Sequence, residues 1–184
     1  MTTTNTQKGF TLLEFVLYIG LLAIIVTAAV MFTLQFVIAQ SKAQVYAQAA
    51  RNAEFAMERI RIEVEEADAV NAGTTVYVSN PGTLSLANAV SGNNPTVFTV
   101  TNGQLTVQQG AGAAIALTEP GVNVTEFTIT NLAPNVRSQY LRIHMKVQAQ
   151  TTGGYNDIEA SADLDTTMHI RRNDGFTMLW PTLL

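Results

Sequence analysis

The feature that most constrains this chain is a run without a single charge, from Phe15 to Ser41, entered through Lys8-Gly9-Phe10-Thr11-Leu12-Leu13-Glu14. A helix rises about 1.5 Å per residue, so such a run extends roughly 40 Å and crosses a hydrocarbon core about 30 Å thick even when tilted. The sequence therefore predicts a transmembrane helix. Glu14 is the only charge inside the apolar stretch that begins at Phe10. An ionised carboxylate drawn into a bilayer costs at least about 2.5 kcal/mol on insertion scales, so it calls for a partner. Nothing later in the sequence supplies one within the membrane.

Proteolysis offers one. Cleavage between Gly9 and Phe10 would create an α-amino cation on Phe10, one helical turn from Glu14. In a stack of identical or similar helices offset along their axes, the Glu14 carboxylate of one subunit meets the Phe10 amine of the next. The cut would convert an anchor into an assembly unit.

Gly9-Phe10-Thr11-Leu12-Leu13-Glu14, after a short polar leader ending in Lys8 and before a long apolar run, resembles the class III signal of type IV pilins and of the pseudopilins of type II secretion. The resemblance covers roughly the first 35 residues and includes every position of the motif. It implies cleavage after Gly9 by a membrane-embedded prepilin peptidase, N-methylation of Phe10, and roles for Phe10 and Glu14 in subunit assembly. It further implies other pilins or pseudopilins of the same fibre as partners, an inner-membrane assembly platform, and membrane lipid before assembly. The location it implies is the cytoplasmic (inner) membrane, single-pass with the C-terminal domain outside the cytoplasm, and then a cell-surface or periplasmic fibre. Major pilins often carry a helix-breaking proline in the membrane segment, whereas none occurs here before Pro81. The β-rich remainder and the absence of cysteine resemble a minor pilin or a minor, J-like pseudopilin more than a major pilin.

Two other readings compete for the same residues. Thr11-x-x-Glu14 is also a capping box, with Glu14 at the positive end of a helix. A secretory signal peptide would have an apolar core of only about 7 to 15 residues ending at a small-residue cleavage site. Here the run is longer, and Ala47-Gln48-Ala49 lies well beyond it.

The 184 residues leave room for one anchor helix and one modest domain. Net charge is −4 and only 13% of residues are charged, which argues against electrostatic binding of nucleic acid. With no cysteine, the chain has no disulfide framework and no thiolate site. The expected division is a leader over 1–9, a transmembrane and assembly helix over 10–40, and an amphipathic spine helix over 41–72. An antiparallel β domain over 73–172 and an apolar tail over 173–184 follow, an α+β, pilin-like fold.

In the spine, Val45, Ala49, Ala53, Ala56, Ile60, Val64 and Ala67 recur at three- and four-residue spacing, with Arg51, Glu54, Glu58, Arg59, Arg61, Glu63, Glu65 and Glu66 on the remaining surface. No Gly or Pro interrupts from Leu21 to Ala72, so the helix is expected to reach about Asn71, with Gly73 as its stop. Phe55 and Ile62, seven apart and off the main stripe, read first as a broadening of the core face and alternatively as a contact for a neighbouring subunit.

From Thr74 the pattern turns to period two. Strands are expected over 75–79 and 83–86 around Asn80-Pro81-Gly82, and over 96–101 and 104–108 around Asn102-Gly103, the strongest short hairpin signal. Pairing outward from that turn sets Val100 opposite Leu105, Thr99 opposite Thr106 and Phe98 opposite Val107. Between Val124 and Phe127 the apolar phase slips, which predicts a bulge. In the last hairpin a symmetric turn at Gly153-Gly154 sets Ile143 opposite Leu164, Met145 opposite Ala162, Val147 opposite Ala160 and Ala149 opposite Ile158. It also sets Arg142 against Asp165, His144 against Asp163 and Gln148 against Glu159, favourable pairs across strands.

Asp157, Glu159, Asp163 and Asp165 invite thought of a hard cation. They are strung along an extended strand facing basic neighbours, however, so no metal site is expected. His144 and His169 read as surface strand residues. No nucleophile elbow, phosphate-cradling loop or catalytic carboxylate pair is present, so neither an enzyme nor a cofactor is expected. The tail residues Phe176, Met178, Leu179, Trp180, Leu183 and Leu184 are apolar, and are expected to cover the sheet or the spine or else to contact a neighbouring subunit.

Overall fold

The computed structural model describes residues 9, 11–132, 140–150 and 158–170. The leader, Phe10, Asp157, the Gly153-Gly154 turn and the apolar tail lie outside the described residues. One long helix, α1 (Leu12–Glu66), is followed by β1 (Ala69–Val70), β2 (Thr83–Ala87), a 3₁₀ turn (Ser91–Asn93), β3 (Thr96–Thr101), β4 (Gln104–Gln109), β5 (Ile115–Ala116), β6 (Val122–Asn131), β7 (Tyr140–Gln150) and β8 (Glu159–His169). Two units divide the chain, residues 1–41 and 42–184.

In the first unit every residue from Thr11 to Gln40 is exposed. This part of α1 is apolar on all sides, as a helix surrounded by lipid should be. It makes α1 long and apolar enough to cross a membrane. Its hydroxyls are satisfied within the helix: Thr27 and Thr33 each donate to the carbonyl four residues earlier at 2.8 Å, and Ser41 does so at 3.0 Å.

The second unit packs the C-terminal part of α1 against antiparallel sheets, the expected α+β, pilin-like architecture. Val45, Ala49, Ala53, Ala56, Ile60 and Val64 are all buried. Three alanines in that stripe let the strands approach the helix axis closely. The other side of the core comes from Leu84, Leu86, Phe98, Leu105 and Val107, and from Phe127, Ile129, Leu141, Ile143, Met145 and Val147. The strands form two sheets, ordered β1-β2-β3-β4-β5 and β6-β7-β8.

α1 stops at Glu66, short of Asn71. Its last turn carries Glu63, Glu65 and Glu66 and no basic residue, an arrangement that the helix dipole opposes. The chain then pairs with β2: Asp68 N–H donates to Ala87 O and Asn71 N–H to Ser85 O, each at 2.9 Å. Strand pairing captures residues that periodicity assigns to the helix. Phe55 is 61% exposed and Ile62 36%, so they do not widen the core face. Glu63, expected on the wet surface, is buried between Arg59, its ion-pair partner, and Gln109, whose Nε2 donates to Oε1 at 2.9 Å.

The expected strand over 75–79 reduces to one bridge, Val76 to Thr83. Its donors go elsewhere. Val78 N–H bonds Ile129 O at 2.9 Å, and Gly82 N–H bonds Phe127 O at 2.7 Å, tying the segment to the edge of β6. A Cβ on Gly82 would lie 2.6 Å from Ile129 Cδ1 and 3.1 and 3.2 Å from the Val76 and Phe127 carbonyl oxygens, so a larger residue there would require Ile129 to move. The bulge falls where expected, with the β6–β7 ladder slipping between Val124 and Glu126. Asn80 spans it, donating from Nδ2 to Thr125 O at 3.0 Å and accepting from Phe127 N–H at 3.1 Å.

The β3–β4 hairpin has the expected register, with Phe98 opposite Val107, Thr99 opposite Thr106 and Val100 opposite Leu105. Asn102 (φ 53°) and Gly103 (φ 78°) supply the two positive φ angles of its turn. The β7–β8 register differs from expectation by two residues: Ile143 faces Thr166, Met145 faces Leu164, Val147 faces Ala162 and Ala149 faces Ala160. A shift of two leaves each side chain on its face, so the buried and wet faces stay as expected. The polar pairs survive as diagonals. Arg142 Nε donates to Asp165 Oδ1 at 2.9 Å, His144 Nδ1 lies 3.3 Å from Asp163 Oδ1, and Gln148 Nε2 donates to Glu159 Oε2 at 2.9 Å.

Candidate functional site

The candidate site is the first turn of α1. Thr11 caps it: its Oγ1 accepts from Glu14 N–H at 3.3 Å, and its carbonyl accepts from Phe15 N–H at 3.2 Å. This is one half of a capping box, with Glu14 as the acidic residue of the first turn. The surroundings of Glu14 are apolar and open, with Leu12 83%, Leu13 79% and Phe15 60% exposed. Among the described residues no cation pairs with its carboxylate.

Gly9 is exposed, and a Cβ built on it would meet nothing within 4 Å. Its φ lies outside the left-handed region that favours glycine. Neither crowding nor backbone conformation in the chain itself demands glycine at this position. Of the three residues expected to act together, the structure therefore describes Gly9 and Glu14, while Phe10 lies outside the described residues.

The wet face of β6, β7 and β8 carries charges of both signs. Arg142 grips Asp165 through two donors, and the bonds from the guanidinium hold the Asp165 carboxyl below its ordinary range. His144 sits between two strands, with Nε2 3.3 Å from Glu126 Oε2 and Nδ1 3.3 Å from Asp163 Oδ1. Lys146 Nζ lies 3.7 Å from Glu126 Oε1. Glu126, Glu159, Asp163 and Asp165 are each matched by a basic or amide group, and among the described residues no three acidic or histidine side chains converge as metal donors. The arrangement is that of a sheet surface held together by cross-strand pairs.

The sequence reading missed a polar clamp on the spine. Asn52 is buried; its Oδ1 accepts from Glu119 N–H at 2.9 Å, and its Nδ2 donates to Gln48 O at 3.0 Å and to Glu119 Oε2 at 3.3 Å. Gln48 Nε2 also reaches Glu119 Oε2 at 3.2 Å. The signal was present: Asn52 stands beside Ala53, between Ala49 and Ala56 on the apolar stripe, where a polar residue needs a partner.

No family model matches the chain, and comparisons with curated proteins and with solved structures likewise find no match.

Proposed function

We propose that this chain is a pilin-like structural subunit, cleaved between Gly9 and Phe10 by a prepilin peptidase, N-methylated on Phe10, and assembled through its N-terminal helix into a type IV pilus or a type II secretion pseudopilus. The observation that carries the reading is Glu14, a carboxylate in the first turn of an exposed apolar helix with no cation beside it among the described residues. A charge placed there has a use when a second helix brings the amine. Gly9 supports the same reading, since the fold gives no reason for glycine and a peptidase that must approach the backbone does.

In this mechanism the helix serves twice. Before cleavage it holds the protein in the cytoplasmic membrane, and afterwards it leaves lipid for a bundle of like helices. Glu14 sets the stagger by meeting the Phe10 amine of a neighbour, and the β domain faces outward. The chain acts mechanically and performs no catalysis of its own.

The rival reading is an uncleaved single-pass anchor carrying a β domain that binds an extracellular ligand. It draws on the Thr11 cap, which gives the first turn a purely structural role. Intact mass and N-terminal sequence of the protein from its native membrane separate the two. A chain beginning at N-methylated Phe10 supports the subunit; a chain retaining Gly9 in cells with active prepilin peptidase overturns it.

A further inference from the structure

The tip of the β3–β4 hairpin carries the only Asn-Gly step in the sequence, Asn102-Gly103. The turn demands both residues. A two-residue loop between Thr101 and Gln104, which face each other in the ladder, needs a positive φ at each centre, and Asn102 has φ 53° and Gly103 φ 78°. Gly103 is fixed a second time by its surroundings, since a Cβ on it would lie 2.8 Å from Asn123 Oδ1. Its carbonyl accepts from Val124 N–H of β6 at 2.7 Å, a bond that ties the sheet of β1–β5 to the sheet of β6–β8.

Chemically the same step is labile. The amide carbon of an asparagine side chain lies one ring closure away from the next backbone nitrogen, and glycine puts no side chain in the way. When the Gly103 nitrogen attacks Asn102 Cγ, the N–Cγ bond forms, the Cγ–Nδ2 bond breaks, and the Gly103 amide proton leaves with Nδ2 as ammonia. The product is a five-membered imide, which water opens at either of its two carbonyl carbons. Addition at Cγ breaks the new bond and leaves aspartate at position 102. Addition at the main-chain carbon breaks the original peptide bond and leaves isoaspartate, with the chain routed through the former side chain. The sum is an amide hydrolysed to an acid and ammonia, and water is the only co-reactant.

The fold controls when this happens. Ring closure needs the Asn102 Cβ and the Gly103 nitrogen nearly eclipsed about the Cα–C bond that separates them. A type I′ turn sets ψ of its first central residue near +30°, and in an L-residue the Cβ then stands about 150° from the following nitrogen about that bond. The side chain is turned away from its attacker. Reaching the imide means leaving the turn, and with it the Thr101–Gln104 pair and the Val124–Gly103 bond. We infer that Asn102-Gly103 is a conformationally locked deamidation site, inert while the hairpin tip is closed and converted whenever the tip opens.

The two products differ in consequence. Aspartate suits the first central position of a type I′ turn as asparagine does, so it keeps the hairpin and adds one negative charge. Isoaspartate inserts a methylene into the main chain, so the two-residue turn no longer matches the ladder and the Gly103 carbonyl is displaced from Val124 N–H. Each isoaspartate formed unlatches one sheet from the other at this point.

The site and the lock are tested on the full-length, detergent-solubilised protein in mildly alkaline buffer, folded in one sample and unfolded by urea in another. Peptides released by proteolysis are followed by mass spectrometry and by isoaspartate detection. In urea, Asn102 is expected to convert before any other asparagine; in the folded protein it should convert at least about tenfold more slowly. Equal rates in the two samples, or a faster rate in the folded one, overturn the lock, and earlier conversion of another asparagine in urea overturns the site. Hydrogen exchange at the Val124 amide reads the consequence. Protein carrying isoaspartate, separated by chromatography, should exchange there at least about tenfold faster than the starting protein, whereas Asn102→Asp should exchange at the starting rate. Unchanged exchange in the isoaspartate fraction overturns the unlatching.

Discussion

Glu14 joins the two possible lives of the N-terminal helix, because the same carboxylate that completes a first turn also stands ready for an amine from outside the chain. The Thr11 cap runs from hydroxyl oxygen to the Glu14 backbone and does not use the Glu14 side chain. Glu14→Ala therefore keeps the cap, and it removes a charge whose burial opposes insertion. Membrane insertion and cleavage after Gly9 are expected to be unchanged, while incorporation into fibres is abolished, as read by the mutant's share in sheared or purified fibres. Normal incorporation would sink the charge-pairing mechanism. A different kind of residue, Val78, holds φ 54° although it is β-branched and 78% exposed. Left-handed backbone costs an ordinary L-residue roughly 1–2 kcal/mol, and asparagine tolerates it better. Val78 is held there by its amide bond to Ile129 O, which a new side chain leaves intact. Val78→Asn should raise the melting temperature of the β domain, by differential scanning calorimetry, by an amount matching about 1 kcal/mol; an unchanged or lower midpoint would show that the valine side chain contributes packing that outweighs the strain.

At the scale of elements, the wet face of β6–β7–β8 shows how cross-strand charge acts. Arg142 holds Asp165 ionised below the ordinary aspartate value of 3.8, chiefly through its hydrogen bonds. A folded-state value depressed in this way adds stability that is fully present above the unfolded value and is lost as pH falls through the folded one. Both groups are solvent-exposed, so the effect is small and screened by salt. The protein should thus be slightly more stable than Arg142→Gln at neutral pH and low salt, with the two unfolding midpoints converging as pH falls through the depressed folded-state value of Asp165; a gap that persists in strong acid would mean the arginine acts through packing. The same hairpin marks where the sequence was legible. The Asn102-Gly103 turn has a unique length and geometry, so the β3–β4 register could be read residue by residue. For β7–β8 the alternation of Leu141, Ile143, Met145 and Val147 with Arg142, His144, Lys146 and Gln148 names the faces but is unchanged by a slip of two. Charge pairing could not arbitrate, because long side chains reach diagonal partners as well as direct ones. The end of α1 was illegible for a different reason: residues Ala69 and Val70 are claimed by β2, a partner distant in sequence. Glu63 and Asn52 escaped notice because their partners, Gln109 and Glu119, come from loops and strands that helical periodicity cannot see. The candidate site rests on Gly9, Phe10 and Glu14, which lie within one short stretch of chain, so it was proposed from the sequence without any tertiary structure.

For the molecule as a whole, the decisive fact is that, among the described residues, the buried core begins at Val45. Residues 42–184 contain the core cluster of the described residues, the Asn52–Glu119 clamp and the two sheets. In residues 12–40, by contrast, every side chain is exposed and overwhelmingly apolar, so this part has no folded interior to lose. Its environment must come from lipid or from other helices. The two parts answer to different solvents, and the division predicts separable behaviour. A chain of residues 42–184 should be soluble without detergent, with the β-sheet content of the intact protein and a single cooperative unfolding transition seen alike by far-ultraviolet circular dichroism and by calorimetry. The start of the helix can fray in this fragment, since Lys42, Ala43 and Gln44 are exposed. Its stability should match that of the β domain in the full chain to within about 1 kcal/mol, because every buried residue among those described lies within it. Aggregation of the fragment, or a broad transition that differs between the two probes, would show that the domain depends on the membrane helix. An independent domain is what a subunit needs if its helix is to exchange one apolar environment for another while the surface it carries stays folded.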